Sequence, residues 1–235
     1  MGEMEQYRIP NAPASMFYIH DFITEEQEGT IRQSIPANRW VSLSHRRLQA
    51  VPARLTATNT LLASPLPTWL TVPVVTRFND LGIFEGSPHG VNHCLINEYL
   101  PAQGIMPHED GGAYHPVVAT VSLGGSIVLD VTEKVQDAAA SNQDGAGSWR
   151  ILQEPRSLLV TTGAAYNDTL HGIADVTEDH DLNGHTVANW SLLGNKQFIE
   201  DHQGRNERTV RISLTYRDVK KVSRISSKLF GKAKG

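Results

Sequence analysis

Disulfide chemistry is closed to this chain. One cysteine, Cys94, stands among 235 residues, so no intrachain bridge can form, and a reducing compartment suits it. Cys94 lies in the run Val91-Asn92-His93-Cys94-Leu95-Ile96, where a buried, inert thiol is expected. Long apolar runs are missing too. No stretch of eighteen apolar residues occurs, which argues against a membrane-spanning helix. The opening residues Met1-Gly2-Glu3-Met4-Glu5-Gln6 lack the apolar core of a signal peptide, and Gln6 stands where a myristoylation motif wants Ser or Thr. These gaps predict a soluble intracellular protein with no membrane partner.

Positive charge is scarce outside the C-terminus. The net charge is -4, yet from Arg217 onward there are seven Lys or Arg and one acid, leaving 14 basic and 24 acidic side chains in the first 216 residues. A body that acidic does not attract nucleic acid by general electrostatics, so any such contact needs a local patch or the basic tail. That tail, residues 220–235, reads as a solvated, mobile end or, more sharply, as a nucleic-acid contact or a weak nuclear address.

No internal repeat is present. The length fits one domain, placed at residues 15–219 after a loose lead-in of residues 1–14. Thr24-Glu25-Glu26-Gln27 is a capping box that predicts a helix to about Ser34. A second helical stretch opens at Ser64, with Leu70, Val74, Phe78 and Leu81 at helical spacing and Pro73 marking a first turn or kink. Arg39 to Ala63 reads as polar and turn-rich. From Val91 the texture changes to short, β-branched strands: Val91–Leu100, Val117–Leu123, Ser126–Val131, Trp149–Leu152, Ser157–Thr162, Thr169–His171 and Thr209–Arg217, with Met16–Ile19 as an early strand. Polar insertions at 133–147 and 175–208 interrupt them. Many short strands without intervening helices predict a mainly β (α+β) fold, an antiparallel barrel or jelly roll, its outer face braced by the N-terminal helices.

Chemistry concentrates in a few positions. His108-Glu109-Asp110 puts an imidazole and a carboxylate two residues apart, on one face if the segment is extended. His171 could complete a set of two histidines and one carboxylate, which holds one face of an iron(II) and leaves positions open. Alone, His-x-Asp in so glycine-rich a setting also reads as an exposed turn. The late strand changes the balance, because alternation puts Arg211, Ser213, Thr215 and Arg217 on one face and Ile212, Leu214 and Tyr216 on the other. Two arginines on the polar face of such a strand suit a buried carboxylate ligand, with Thr215 as a further donor. Asn97 and Tyr99 share a face of another strand and can donate to the same ligand. A metal triad beside an arginine floor is the pattern of a 2-oxoglutarate-dependent iron oxygenase.

Asn97-x-Tyr99, His108-x-Asp110, His171 and Arg211-x-Ser213-x-Thr215-x-Arg217, in that order, resemble the AlkB family of iron(II)/2-oxoglutarate dioxygenases, and within it the eukaryotic sixth-homologue branch. Asn97-Glu98-Tyr99-Leu100-Pro101, Gly104 to Gly111, Glu154 to Val160 and Leu170-His171-Gly172-Ile173 carry the likeness, which spans about residues 15–220. The resemblance implies a double-stranded β-helix (jelly-roll) core. It implies His108, Asp110 and His171 as iron ligands and Arg211 on the distal carboxylate of 2-oxoglutarate, with Arg217, Asn97 and Tyr99 at its other end or nearby. Iron(II) would be the cofactor, and 2-oxoglutarate and O2 the cosubstrates. Many members carry Asn where this chain has Ser213, which rearranges cosubstrate contacts; the sixth-homologue branch shares the serine.

The resemblance further implies oxidative demethylation of an alkylated nucleobase in DNA or RNA, single-stranded or flipped out. The segment before the barrel would form a lid, where Trp40, Arg46 and Arg47 are candidate substrate contacts, and Tyr114 could line the mouth. Three alternatives stay open: a protein or peptide hydroxylase of the same chemistry, a binding module with negligible turnover, and a metal-assisted hydrolase, which gives Arg211 and Arg217 no task.

Overall fold

Strict alternation along three strands decides what faces inward. The structure is a computed structural model that describes residues 2–134 and 147–223. The strands are β1 (Met16–Ile19), β2 (Val41–Ser42), β3 (Arg47–Val51), β4 (Thr60–Leu62), β5 (His93–Tyr99), β6 (Ile105–His108), β7 (Tyr114–Gly124) and β8 (Ile127–Glu133). There follow β9 (Ser148–Gln153), β10 (Leu158–Thr162), β11 (Thr169–Ile173), β12 (Glu178–Asp179), β13 (Asn206–Glu207), β14 (Arg211–Val219) and β15 (Lys221–Ser223). The major sheet has seven strands in the order β1-β10-β7-β14-β5-β3-β2, and the minor sheet four, β6-β11-β8-β9, all pairs antiparallel. This is the mainly β, jelly-roll architecture expected from the sequence.

β14 lies between β7 and β5, is buried along its whole length, and pairs Ser213 with Asn97 on one side and Ser122 on the other. Its Ile212, Leu214 and Tyr216 join Cys94 and Ile96 of β5 on the outer face of the major sheet. There they meet the bracing helices α1 (Glu25–Ser34), α2 (Thr68–Thr71) and α3 (Val74–Asp80) through Ile31, Leu70, Val74 and Phe78. Phe78 stacks on Phe22 at 5.6 Å and meets the edge of Tyr216 at 5.2 Å. The Tyr216 hydroxyl donates to the Leu70 carbonyl at 2.9 Å, so its one polar atom is satisfied in the core. With Ile212, Leu214 and Tyr216 taken up by that core, the other face of β14 carries charge into the space between the sheets.

The capping box forms, with the Gln27 amide on Thr24 Oγ1 at 3.2 Å and the Thr24 amide on Gln27 Oε1 at 3.0 Å. The helical stretch expected from Ser64 splits at Pro73, which becomes the N-cap of α3, because a proline supplies no N–H to a helix interior.

Three expectations about the margins need correction. The lead-in is not loose: it forms a 3-10 turn, and Met4 and Ile9 are buried. Residues 39–63 are not only turns, since β3 extends the major sheet beyond β5 in register Leu48 to Asn97. The polar insertion at 175–208 packs onto the domain through Leu182, Val187, Leu193 and Ile199, in a core that includes Val128 and Ile151. A buried bidentate pair between Arg208 and Asp179, at 2.5 and 2.9 Å, ties that segment down. The domain also runs past Val219, because β15 pairs in parallel with β4. The rest of the basic tail, and residues 135–146 of the first insertion, lie outside the described residues.

His93 begins β5 almost fully buried, its Nε2 donating to the Ala53 carbonyl at 3.1 Å and its ring stacked on Tyr114. Burial pulls its pKa from 6.5 down to about 4. A histidine depressed in the fold contributes its stability fully above about pH 6.5, and that contribution is lost as the pH falls toward about 4. Denaturant unfolding of the metal-free protein should therefore lose stability across that window. His93→Leu should flatten the slope by up to one proton, about 1.4 kcal/mol per pH unit; an unchanged slope would contradict a neutral buried His93.

Candidate metal centre and anion pocket

β6 and β11 are neighbours in the minor sheet, and their register sets His108 directly opposite His171. The two rings lie 4.5 Å apart between centroids. Asp110 follows β6 at once, and one ligand atom from each of His108, Asp110 and His171 lies within 4.8 Å of the others. His108 Nδ1 lies 2.9 Å from the Met106 carbonyl. A carbonyl only accepts, so Nδ1 carries the proton and Nε2 keeps a free lone pair. Burial, the largest cause, pulls His171 down to about 4, so this imidazole is neutral near pH 7 and able to ligate.

Asp110 also accepts a hydrogen bond from Arg217 Nη2. A carboxylate has two oxygens, so one can hold the guanidinium while the other faces a metal. Arg217 is further fixed by the ring of Tyr114, 4.8 Å from its guanidinium carbon.

The inner face of the major sheet supplies the opposite wall. Asn97, Tyr99, Arg211, Ser213, Thr215 and Arg217 line one cavity together with His108, Asp110 and His171. Arg211 is 2% exposed and donates from Nη2 to Ser122 Oγ at 2.9 Å and Gln153 Oε1 at 3.0 Å. Both partners are neutral, and its Nε has no partner among the described residues. Burial lowers its pKa to about 10, which leaves it cationic at neutral pH. A buried cation with neutral partners and an orphan N–H among the described residues suits an anionic ligand.

The residues present therefore fit iron(II) and a 2-oxo dicarboxylate. Two imidazoles and one carboxylate on one side of a cavity form the donor set that leaves metal positions open, and Arg211 answers a distal carboxylate. Thr215 and Tyr99 add hydroxyl donors on the same face.

Of the four candidate substrate contacts, only Arg46 lines this cavity. Trp40 packs on the main core under the Arg47 guanidinium, at 4.6 Å. Arg47 is itself committed to the buried Glu98, at 2.6 and 2.8 Å. Tyr114 lies between His93 and Arg217, behind the ligands rather than at the mouth. The placement follows from alternation along β3: Arg46 shares the inner face with Leu48, and Arg47 shares the outer face with Gln49. Sequence reasoning missed Ser122 and Gln153, the neutral partners of Arg211. The available signal was a lone polar residue within apolar strand runs, at Ser122 between Val121 and Leu123 and at Gln153 after Ile151-Leu152.

Residues 24–217 match the profile of the 2OG-Fe(II) oxygenase superfamily. The chain is 37% identical over 228 residues to a protein of Danio rerio named probable RNA/DNA demethylase ALKBH6, covering 94% of this chain and 93% of that one. It is 27% identical over 225 residues to the Xenopus tropicalis tRNA (carboxymethyluridine(34)-5-O)-methyltransferase alkbh8, of which it spans 32%. Among solved structures, a 2OG-Fe(II) oxygenase-family oxidoreductase from Burkholderia pseudomallei superposes with a TM-score of 0.53 at 12% identity, covering 92% of this chain and 90% of that one. OsALKBH1 superposes with a TM-score of 0.50 at 14% identity, covering 87% and 96%. At such identities these structures speak to the fold alone.

Asp110→Asn should lower the affinity for Mn(II), a stand-in for iron(II), by more than about 100-fold in calorimetric titration. It should also destabilise the metal-free protein, on the order of 3 kcal/mol, by removing the counter-charge of buried Arg217. Unchanged Mn(II) affinity would remove Asp110 from the ligand set.

Proposed function

The chain belongs to the 2OG-Fe(II) oxygenase superfamily, and from that premise we propose that it oxidatively demethylates an alkylated nucleobase in DNA or RNA. The observation that carries the oxygenase chemistry is the unmatched buried cation of Arg211 facing the His108–Asp110–His171 cluster across one cavity. The nucleobase rests on the printed name of the Danio rerio relative and on Arg46 at the cavity wall.

Bound iron(II) with 2-oxoglutarate and O2 supplies the oxidising chemistry that turns a substrate C–H bond into C–OH, releasing succinate and carbon dioxide. The chain's own residues do the placing. His108, Asp110 and His171 would hold the metal, His108 with its tautomer set by the Met106 carbonyl. Arg211 would take the distal carboxylate, with Ser213 and Thr215 beside it on the strand. Arg217 keeps the Asp110 carboxylate oriented. Asn97 and Tyr99 would donate to the other end of the cosubstrate or to the site beside it. On an N-methyl group the hydroxylated product breaks down to formaldehyde and the free nitrogen. Work on nucleic acid goes with a setting in the cytoplasm and nucleus.

The acidic body of the first 216 residues favours one competing reading, a peptide substrate for the same chemistry. Incubation of the iron-loaded protein with N-methylated single-stranded DNA and RNA oligonucleotides separates the two. The proposal expects formaldehyde and succinate in equal amounts, dependent on 2-oxoglutarate and on the methyl group, with His171→Ala inactive. Succinate released without formaldehyde from every oligonucleotide, and formaldehyde or hydroxylation with methylated peptides, would transfer the assignment to protein.

A further inference from the structure

Asn97 and Arg46 form a pair that neither residue type would form by default. The turn Leu43 to Arg46 joins β2 to β3 and is closed by the Leu43 amide on the Arg46 carbonyl at 2.8 Å. Its His45 Nδ1 lies 3.5 Å from the Asp175 carboxylate, beside the chain leaving β11. From this turn Arg46 points inward, and its Nε donates to Asn97 Oδ1 at 3.2 Å. Both side chains line the same cavity as Tyr99 and Ser213.

A primary amide can present either its oxygen or its NH2 to a ligand, and the two faces have opposite polarity. A guanidinium can only donate. With Oδ1 turned to Arg46, the NH2 of Asn97 is left for the cavity, beside Ser213, its partner in register. Without Arg46, the amide can flip and set an oxygen against an anionic ligand. Among the described residues the two Nη groups of Arg46 have no hydrogen-bond partner, and its charge lowers the pKa of Tyr99 against a larger rise from burial.

We propose that Arg46 is a positioning residue for the cosubstrate: by fixing the amide of Asn97 as a donor, it ties the loop over the cavity mouth to 2-oxoglutarate binding. The proposal rests on the oxygenase reading of the site. It assigns Arg46 a task in the absence of any nucleic acid, distinct from a substrate contact.

The test is a double-mutant cycle on the anaerobic, iron(II)-loaded full-length protein, with 2-oxoglutarate affinity read from the visible metal-to-ligand band. Arg46→Ala should weaken 2-oxoglutarate about tenfold, with the melting temperature of the metal-free protein unchanged. In the Asn97→Ala background the same substitution should add almost nothing. Arg46→Gln, which removes the charge but keeps an N–H donor at the position of Nε, should bind 2-oxoglutarate more tightly than Arg46→Ala. Additive losses, or an Arg46→Gln protein as weak as Arg46→Ala, would overturn the proposal in favour of simple charge. Absence of the band in the parent would overturn the oxygenase reading itself, and this inference with it.

Discussion

The buried guanidinium of Arg211 is the constraint around which the site is built. Leaving it without an anion is expensive in a low-dielectric interior, yet among the described residues its hydrogen-bond partners are the Ser122 hydroxyl and the Gln153 amide oxygen. The rest of the cavity repeats the imbalance. Arg46, Arg211 and Arg217 line it against one carboxylate, Asp110, and that carboxylate already answers Arg217. A dicarboxylate together with a divalent metal restores balance. The free oxygen of Asp110 and the imidazoles of His108 and His171 would hold the metal, and the uncompensated guanidinium would take the ligand.

This arrangement depends on what lies behind it. β14 is a central strand buried on both faces, so every second residue could have been apolar on either side. The outer residues satisfy the core against α2 and α3, and Tyr216 closes its own hydroxyl onto the Leu70 carbonyl. Apolar burial on that side stabilises the strand enough to present four polar side chains inward from a rigid support. The opposite wall is equally rigid, because the His108–His171 register is part of the minor sheet. Rigid walls meet a mouth made of turns, and Arg46 reaches from one of those turns to a residue on the wall.

Much of this was legible in the sequence. The period-2 pattern of Arg211 to Arg217 told which side chains share a face, and β-branched runs marked the strands to within a few residues. Thr24 and Gln27 named a helix start that the hydrogen bonds reproduce. What escaped depends on contacts far apart along the chain. β3 is a strand because the edge of β5 is there to pair with, not because Arg47 to Val51 has strong propensity. Ser122 and Gln153 gain meaning only where β7 and β9, in different sheets, converge on Arg211. Arg46 and Arg47 look alike in sequence, and alternation along β3 sends one to the cavity and the other to Glu98. Tyr114 follows the ligand motif closely, yet the return of the chain into β7 puts its ring behind Arg217.

The central claim is that a 2-oxo dicarboxylate pairs with buried Arg211 while chelating a metal at the histidine–aspartate cluster. Anaerobic titration of 2-oxoglutarate into the iron(II)-loaded protein, followed by its visible charge-transfer band, tests it most directly when run beside Arg211→Leu. The account predicts a saturable band in the parent and at least about 100-fold weaker binding in the variant. Equal affinity in a folded, iron-replete Arg211→Leu protein would contradict it, as would a parent that binds iron but never develops the band.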